Sequence, residues 1–140
     1  MMNKFLKFLE QNKYIKRQKP LKIKDVIAAQ KDLVRCGFPF LPTDFLEFLR
    51  HYNGVKASDS AILGIPPLED PELDIKAFNQ EFNAAPDKVI LGYDDFGFLI
   101  YDHENKVYQL VDKSGALVLE EFAEDELGYA LNSVLHVDEE

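Results

Sequence analysis

The chain has one cysteine, no tryptophan and three histidines in 140 residues. A lone thiol cannot close an internal disulfide, so packing must hold whatever core exists. Cys36 ends the amphipathic run AAQKDLVRCGF, where a buried structural thiol is the expected role. Only Arg35 stands beside it as a cation, and a nucleophile would also need a histidine and an orienting partner. Long apolar runs are missing as well, none approaching the roughly 18 residues of a membrane span. The start, MMNKFLKFLEQNK, holds no continuous hydrophobic stretch and no small-residue cleavage site, so no signal peptide is read and a cytoplasmic protein is expected. No repeat, low-complexity tract or Gly/Ser linker divides the chain, which reads as a single domain over 1–140. With 46% hydrophobic and 29% charged residues it has the composition of a folded protein, not a disordered one.

The chemical signatures are equally sparse. HExxH, CxxC, GxGxxG, GxxxxGK[ST] and GxSxG do not occur, so the common metal, nucleotide and nucleophile-elbow patterns are missing. Asp102-His103-Glu104 resembles a ligand set but falls at an expected hairpin tip, where Asp and Asn are turn formers. Asp94-Asp95 is a carboxylate pair, yet adjacent residues face opposite ways and do not share a proton. No enzyme, cofactor or metal site is expected. The aromatics, 11 Phe and 6 Tyr, fall mostly on helical or strand stripes and read as core. A stacking platform for nucleic acid would interleave them with Lys and Arg.

What the chain does have is lopsided charge. Residues 1–50 hold 11 Lys+Arg against 5 Asp+Glu, whereas residues 51–140 hold 5 against 20, giving a net charge of −9. A globule of that charge repels nucleic acid and attracts cationic partners. The basic lead over 1–22, with Lys4, Lys7, Lys13, Lys16, Arg17, Lys19 and Lys22, reads as the solvated face of a first helix and its connection.

Periodicity predicts helices over 3–12, 23–36, 43–53 and 124–135. The second places Val26 and Ile27 one heptad from Leu33 and Val34 and stops at Gly37; the last buries Leu127, Ala130, Leu131, Val134 and Leu135. Its Glu124, Asp125 and Glu126 suit a helix start. In LPTDFLEFLRHYNG (41–54), Pro42 fits a first turn, Thr43 and Asp44 are candidate caps, Phe45, Phe48, Leu49 and Tyr52 make one stripe, and Asn53-Gly54 fits a C-cap. Strands are expected over 61–65, 88–93, 98–101, 106–111 and 116–121, the last three as a meander about turns at 102–105 and 112–115. Strands grouped between terminal helices predict an α+β fold, a mainly antiparallel sheet of about five strands with helices from both chain ends packed on it. Between them, residues 66–87 carry four prolines (Pro66, Pro67, Pro71, Pro86) and the acids Glu69, Asp70, Glu72 and Asp74, with a short helix suggested by Ile75, Phe78 and Phe82. A stiff acidic loop of that kind is a natural place for binding.

The pattern resembles the SUKH superfamily, the domain named partly after fungal Smi/Knr regulators of cell-wall synthesis. Leu41-Pro42, Phe45, Phe48, Leu49 and Asn53-Gly54 are similar to its L-P-x-x-φ-x-x-φ-φ…N-G helix. Leu91-Gly92, Gly97, Tyr101-Asp102, Lys106-Val107-Tyr108 and Gly115 resemble its strand–turn–strand section, and Phe122-Ala123 before the last helix resembles its closing F-A helix. The likeness covers residues 23–135; it departs in lacking Trp and in having Val55 where a second glycine is frequent. It implies a mixed sheet-and-helix domain without catalytic machinery. Many bacterial members are immunity proteins that bind and neutralise a toxin, often a nuclease; the fungal members imply the alternative, an intracellular regulatory scaffold binding a host protein. An anionic face suits either a nuclease, whose own site attracts phosphate, or another cationic protein domain. The residues expected to meet that partner are Glu69, Asp70, Glu72, Asp74, Asp94, Asp95 and Phe96, carboxylates around an aromatic anchor. No nucleic acid and no membrane are expected as partners.

Overall fold

The computed structural model describes residues 2–85 and 87–136. Five α-helices are present: α1 (Met2–Gln11), α2 (Ile23–Arg35), α3 (Thr43–Leu49), α4 (Ile75–Phe82) and α5 (Leu127–Leu135). One seven-stranded sheet runs in chain order through β1 (Lys16–Arg17), β2 (Val55–Lys56), β3 (Ala61–Ile62), β4 (Lys88–Tyr93), β5 (Gly97–Asp102), β6 (Val107–Asp112) and β7 (Val118–Ala123). Every neighbouring pair is antiparallel. The fold is therefore α+β, with the expected meander over β5, β6 and β7. The sheet has seven strands, not about five, because β1 and β2 are two-residue pieces that pair only after the helices bring them alongside; a dipeptide shows no period. Pro86, the last of the four prolines, lies outside the described residues.

The helices cover both faces of the sheet. The buried stripe of α5 is the expected one, Leu127, Ala130, Leu131, Val134 and Leu135. It lies over the face of the sheet that carries Leu99, Tyr101, Tyr108 and Phe122. Helix α1 packs beside it through Phe5 and Leu9, with the Phe5 ring 5.8 Å from that of Phe48. Each such fully buried side chain contributes about 1.5–3 kcal/mol, enough to dock α1 while its lysines stay in water. On the other face Phe78 of α4 stacks on Tyr93 at 5.2 Å and meets Phe98 edge-on at 5.9 Å.

Several local expectations give way to a different arrangement. Helix α2 buries only Leu33; Ile23, Ile27 and Val34 are exposed, so half of the anticipated stripe faces water. Cys36 is half-buried, not buried, and its Sγ accepts from Gln80 Nε2 at 3.3 Å. Pro42 occupies the N-cap position of α3 with extended backbone and no side-chain cap, so neither Thr43 nor Asp44 has the capping role. The helix ends at Leu49 with Arg50 still right-handed, leaving Asn53-Gly54 four residues beyond its end.

Asn53 has another use. It is 4% exposed, and its amide donates to Ile65 O at 2.7 Å while accepting from Ile65 N–H at 2.8 Å. That is the pairing a neighbouring strand would give a peptide, supplied by a side chain where β3 has ended. Gly54, at φ +105°, turns the chain into β2. Gly64 lets the two segments meet, since a Cβ there would lie 2.4 Å from Asn53 O. Asn79 of α4 repeats the device: it accepts from Ile90 N–H at 2.7 Å and donates to Ile90 O at 2.9 Å, beside a register shift in β4. Two buried asparagines thus continue the sheet's hydrogen bonding past the end of a very short strand.

Candidate functional site

The seven anticipated partner residues fall in two separate places. Glu69, Asp70, Glu72 and Asp74 lie on the loop before α4; Asp94, Asp95 and Phe96 form the β4–β5 turn. Register sets Ala61 opposite Tyr93, and the chain then runs away from that turn before reaching the acidic loop. Much of the loop's charge is already engaged. Asp70 caps a short 3-10 helix (Pro71–Leu73) by accepting from Glu72 N–H at 3.1 Å, and Asp74 caps α4 by accepting from Lys76 and Ala77. Glu69 pairs with Lys19 at 3.4 Å across a small cleft that Lys22 also lines. The basic connection therefore sets one exposed ion pair against the loop it touches. In the turn, Asp94 accepts from the N–H groups of Phe96 and Gly97 and meets His136 Nε2 at 3.0 Å. Asp95 and Phe96 remain exposed, the Phe96 ring edge-on to that of His136 at 6.2 Å.

A denser acidic surface lies elsewhere, between α3, the start of α5 and the β5–β6 hairpin. Two clefts of about 400 and 280 Å³ share Asp44 as a common wall. The larger is edged by Asp44 and Glu47 of α3, by His51 just beyond that helix, and by the stretch Asp125–Tyr129. The smaller runs from Phe40 past Tyr101 and Tyr108 to Glu124, with His103 and Lys106 on the hairpin side. Together they carry the carboxylates of Asp44, Glu47, Glu124, Asp125 and Glu126. Against these stand one lysine on the rim, Lys106, and Arg50, which reaches Glu47 at 3.7 Å. Phe40 and Tyr129, each about half exposed, flank the groove as apolar anchors.

Local folding sets how far each of these carboxylates is engaged. The N-cap of α5 is Glu126, so Glu124 and Asp125 precede the helix. Glu126 turns its carboxylate back to accept from Ala123 N–H at 2.7 Å. Glu124 accepts the Tyr101 hydroxyl at 2.8 Å. Burial, followed by that bond to Glu124, pushes the Tyr101 hydroxyl up to about 12. Tyr108 is pushed up too, by burial first and then by Asp44, Tyr101 and Glu124. Its hydroxyl is fully buried and meets no hydrogen-bond partner among the described residues. Asp102, once a possible ligand, is a turn former. Burial pushes its carboxyl up, but the side chain and N–H of Asn105, with Lys88 and Glu104 N–H, outweigh that and hold it low.

From sequence alone Asp44 reads as a cap and Glu124, Asp125 and Glu126 as helix initiators, while Glu47 carries no assigned role. Asp70 and Asp74, assigned to the partner, are the caps instead. Among the described residues no group of three His, Cys, Asp or Glu side chains has the geometry to hold a metal ion, and no helix is long and apolar enough to cross a membrane. No family model matches the chain, and no curated protein matches it significantly.

Proposed function

We propose that this chain is a non-enzymatic domain that binds a cationic protein through the groove between α3, α5 and the β5–β6 hairpin, in the manner of a SUKH-type immunity protein neutralising a toxin. The observation that carries the reading is the groove itself: five carboxylates against one rim lysine and Arg50, which reaches Glu47, flanked by two exposed aromatics. Such a surface raises the encounter rate with a basic partner and rejects acidic ones, while apolar anchors supply affinity. The family likeness, which runs through the LPTDFLEFLRHYNG segment and the closing helix, adds the immunity role and a cytoplasmic setting.

Co-expression with the protein encoded beside it tests the reading. The expected result is a stoichiometric complex and rescue of growth when that neighbour is toxic. Charge reversal at Glu124 and Asp125 should slow association by about tenfold or more, with the loss largest at low salt. A neighbour that neither binds nor poisons the cell would leave the immunity role without support. Unchanged association after the reversals would remove the groove from it.

A further inference from the structure

Within the groove the smaller cleft has chemistry of its own. Its base is the tilted pair Tyr101 and Tyr108, ring centroids 5.2 Å apart with 49° between their planes. The Tyr101 hydroxyl proton is committed to Glu124 Oε2 at 2.8 Å, which leaves the oxygen as an acceptor. The Tyr108 hydroxyl is fully buried, meets no partner among the described residues, and has Asp44, Tyr101 and Glu124 as its charged or polar surroundings. A buried hydroxyl without a partner costs free energy that an incoming donor recovers. Asp44 and Glu124 bring two negative charges and Lys106 one positive, so the cleft holds a net deficit of one cation. An anion entering would face both carboxylates; an ammonium would satisfy charge but not the spread of acceptors.

We infer that this cleft is a socket for an arginine side chain of the cationic partner. A guanidinium brings one positive charge and a planar fork of donors that matches the divergent acceptors Asp44, Glu124 and Tyr108 Oη. Its flat face suits the exposed Phe40 ring at the edge of the cleft. The proposal rests on the partner-binding reading of the groove and adds a recognition element to it.

The tyrosine rings report on both halves of the groove, since Tyr101 and Tyr108 line the smaller cleft and Tyr129 the larger. The experiment titrates ring-labelled protein with a short Arg-Gly repeat peptide, its Lys-Gly counterpart and its citrulline-Gly counterpart. The expected result is saturable movement of the Tyr101 and Tyr108 signals with the arginine peptide only, and of Tyr129 with both cationic peptides. Tyr108→Phe should remain as stable as the parent, because the lost hydroxyl was unpaired, yet weaken the arginine response by about tenfold. Glu124→Gln, which preserves shape, should weaken it similarly. Movement of Tyr129 alone overturns the socket and keeps the groove; no movement anywhere overturns both. Equal binding of the citrulline peptide, or an arginine response unaffected by both substitutions, also overturns the socket.

Discussion

Replacing Asn53 by aspartate changes one NH2 group to an oxygen and keeps the shape. Ile65 N–H retains its acceptor at 2.8 Å, but Ile65 O then faces a carboxylate oxygen at the 2.7 Å now bridged by a hydrogen bond. The site is 4% exposed, so the charge cannot be hydrated in place. One orphaned buried acceptor costs about 1–3 kcal/mol, and the buried charge adds to this, so a loss of roughly 2–5 kcal/mol near neutral pH follows. A domain of this size has about 5–15 kcal/mol to lose, so the variant should still fold. The pH dependence separates this mechanism from simple misfit. Burial raises the aspartate's folded pKa above its unfolded value of about 3.9, and the protonated acid restores the donor to Ile65 O. The protonated form's stability is therefore fully present below the unfolded pKa and is lost as pH rises through the folded one. The deficit of Asn53→Asp relative to the parent should shrink between about pH 7 and pH 4. Urea denaturation followed by circular dichroism at the two pH values measures it. A deficit under about 0.5 kcal/mol, or one of the same size at both pH values, would refute the argument that the amide stands in for a strand.

Three further outcomes follow from the same geometry. Gly64→Ala puts a Cβ 2.4 Å from Asn53 O and 2.8 Å from its Oδ1, so it should destabilise by about 2–4 kcal/mol and combine non-additively with Asn53→Asp in a double-mutant cycle. Tyr101, pushed up to about 12, gives stability that is complete below the unfolded tyrosine pKa of about 10 and fades as pH rises from there through the folded value; Tyr101→Phe should flatten that alkaline loss in denaturation midpoints. Asn79→Ala orphans Ile90 N–H and C=O together and should cost about 2–5 kcal/mol, with hydrogen exchange at Ile90 rising sharply.

Of the helices α5 was the most legible, because it buries a stripe of several residues where α2 buries only Leu33. Leu127, Ala130, Leu131, Val134 and Leu135 repeat with helical spacing, and all five are buried. The long meander strands were legible for a similar reason, six residues each between turn formers such as Asp112 and Gly115, whose N–H closes onto Asp112 O at 2.9 Å. Lys16–Arg17 and Val55–Lys56 were not, because two residues have no pattern and pair only when the fold presents a neighbour. The buried asparagines were hidden differently. Asn53-Gly54 after a helical stripe carries every local mark of a C-cap, and its actual partner is Ile65, 12 residues on. Local sequence rules assign local partners.

The same limitation applies to the acidic groups, whose roles do not follow from local sequence alone. Whether a carboxylate caps a helix depends on one position, the last residue before the helical dihedrals begin. Asp74 holds that position with φ −66° and ψ 111°, so its oxygen turns back to the first free N–H groups and its charge is spent on the helix end. At α3 Pro42 holds it with φ −67° and ψ 149° and offers no acceptor, so Asp44 lies inside the first turn and faces outward. At α5 the cap is Glu126, which leaves Glu124 and Asp125 outside the helix altogether. Moving a helix start by two residues would exchange these roles without changing a single amino acid. Composition therefore sets the sign of the protein's net charge, while the helix starts decide which carboxylates cap backbone N–H groups, as Asp74 does, and which, like Asp44, do not.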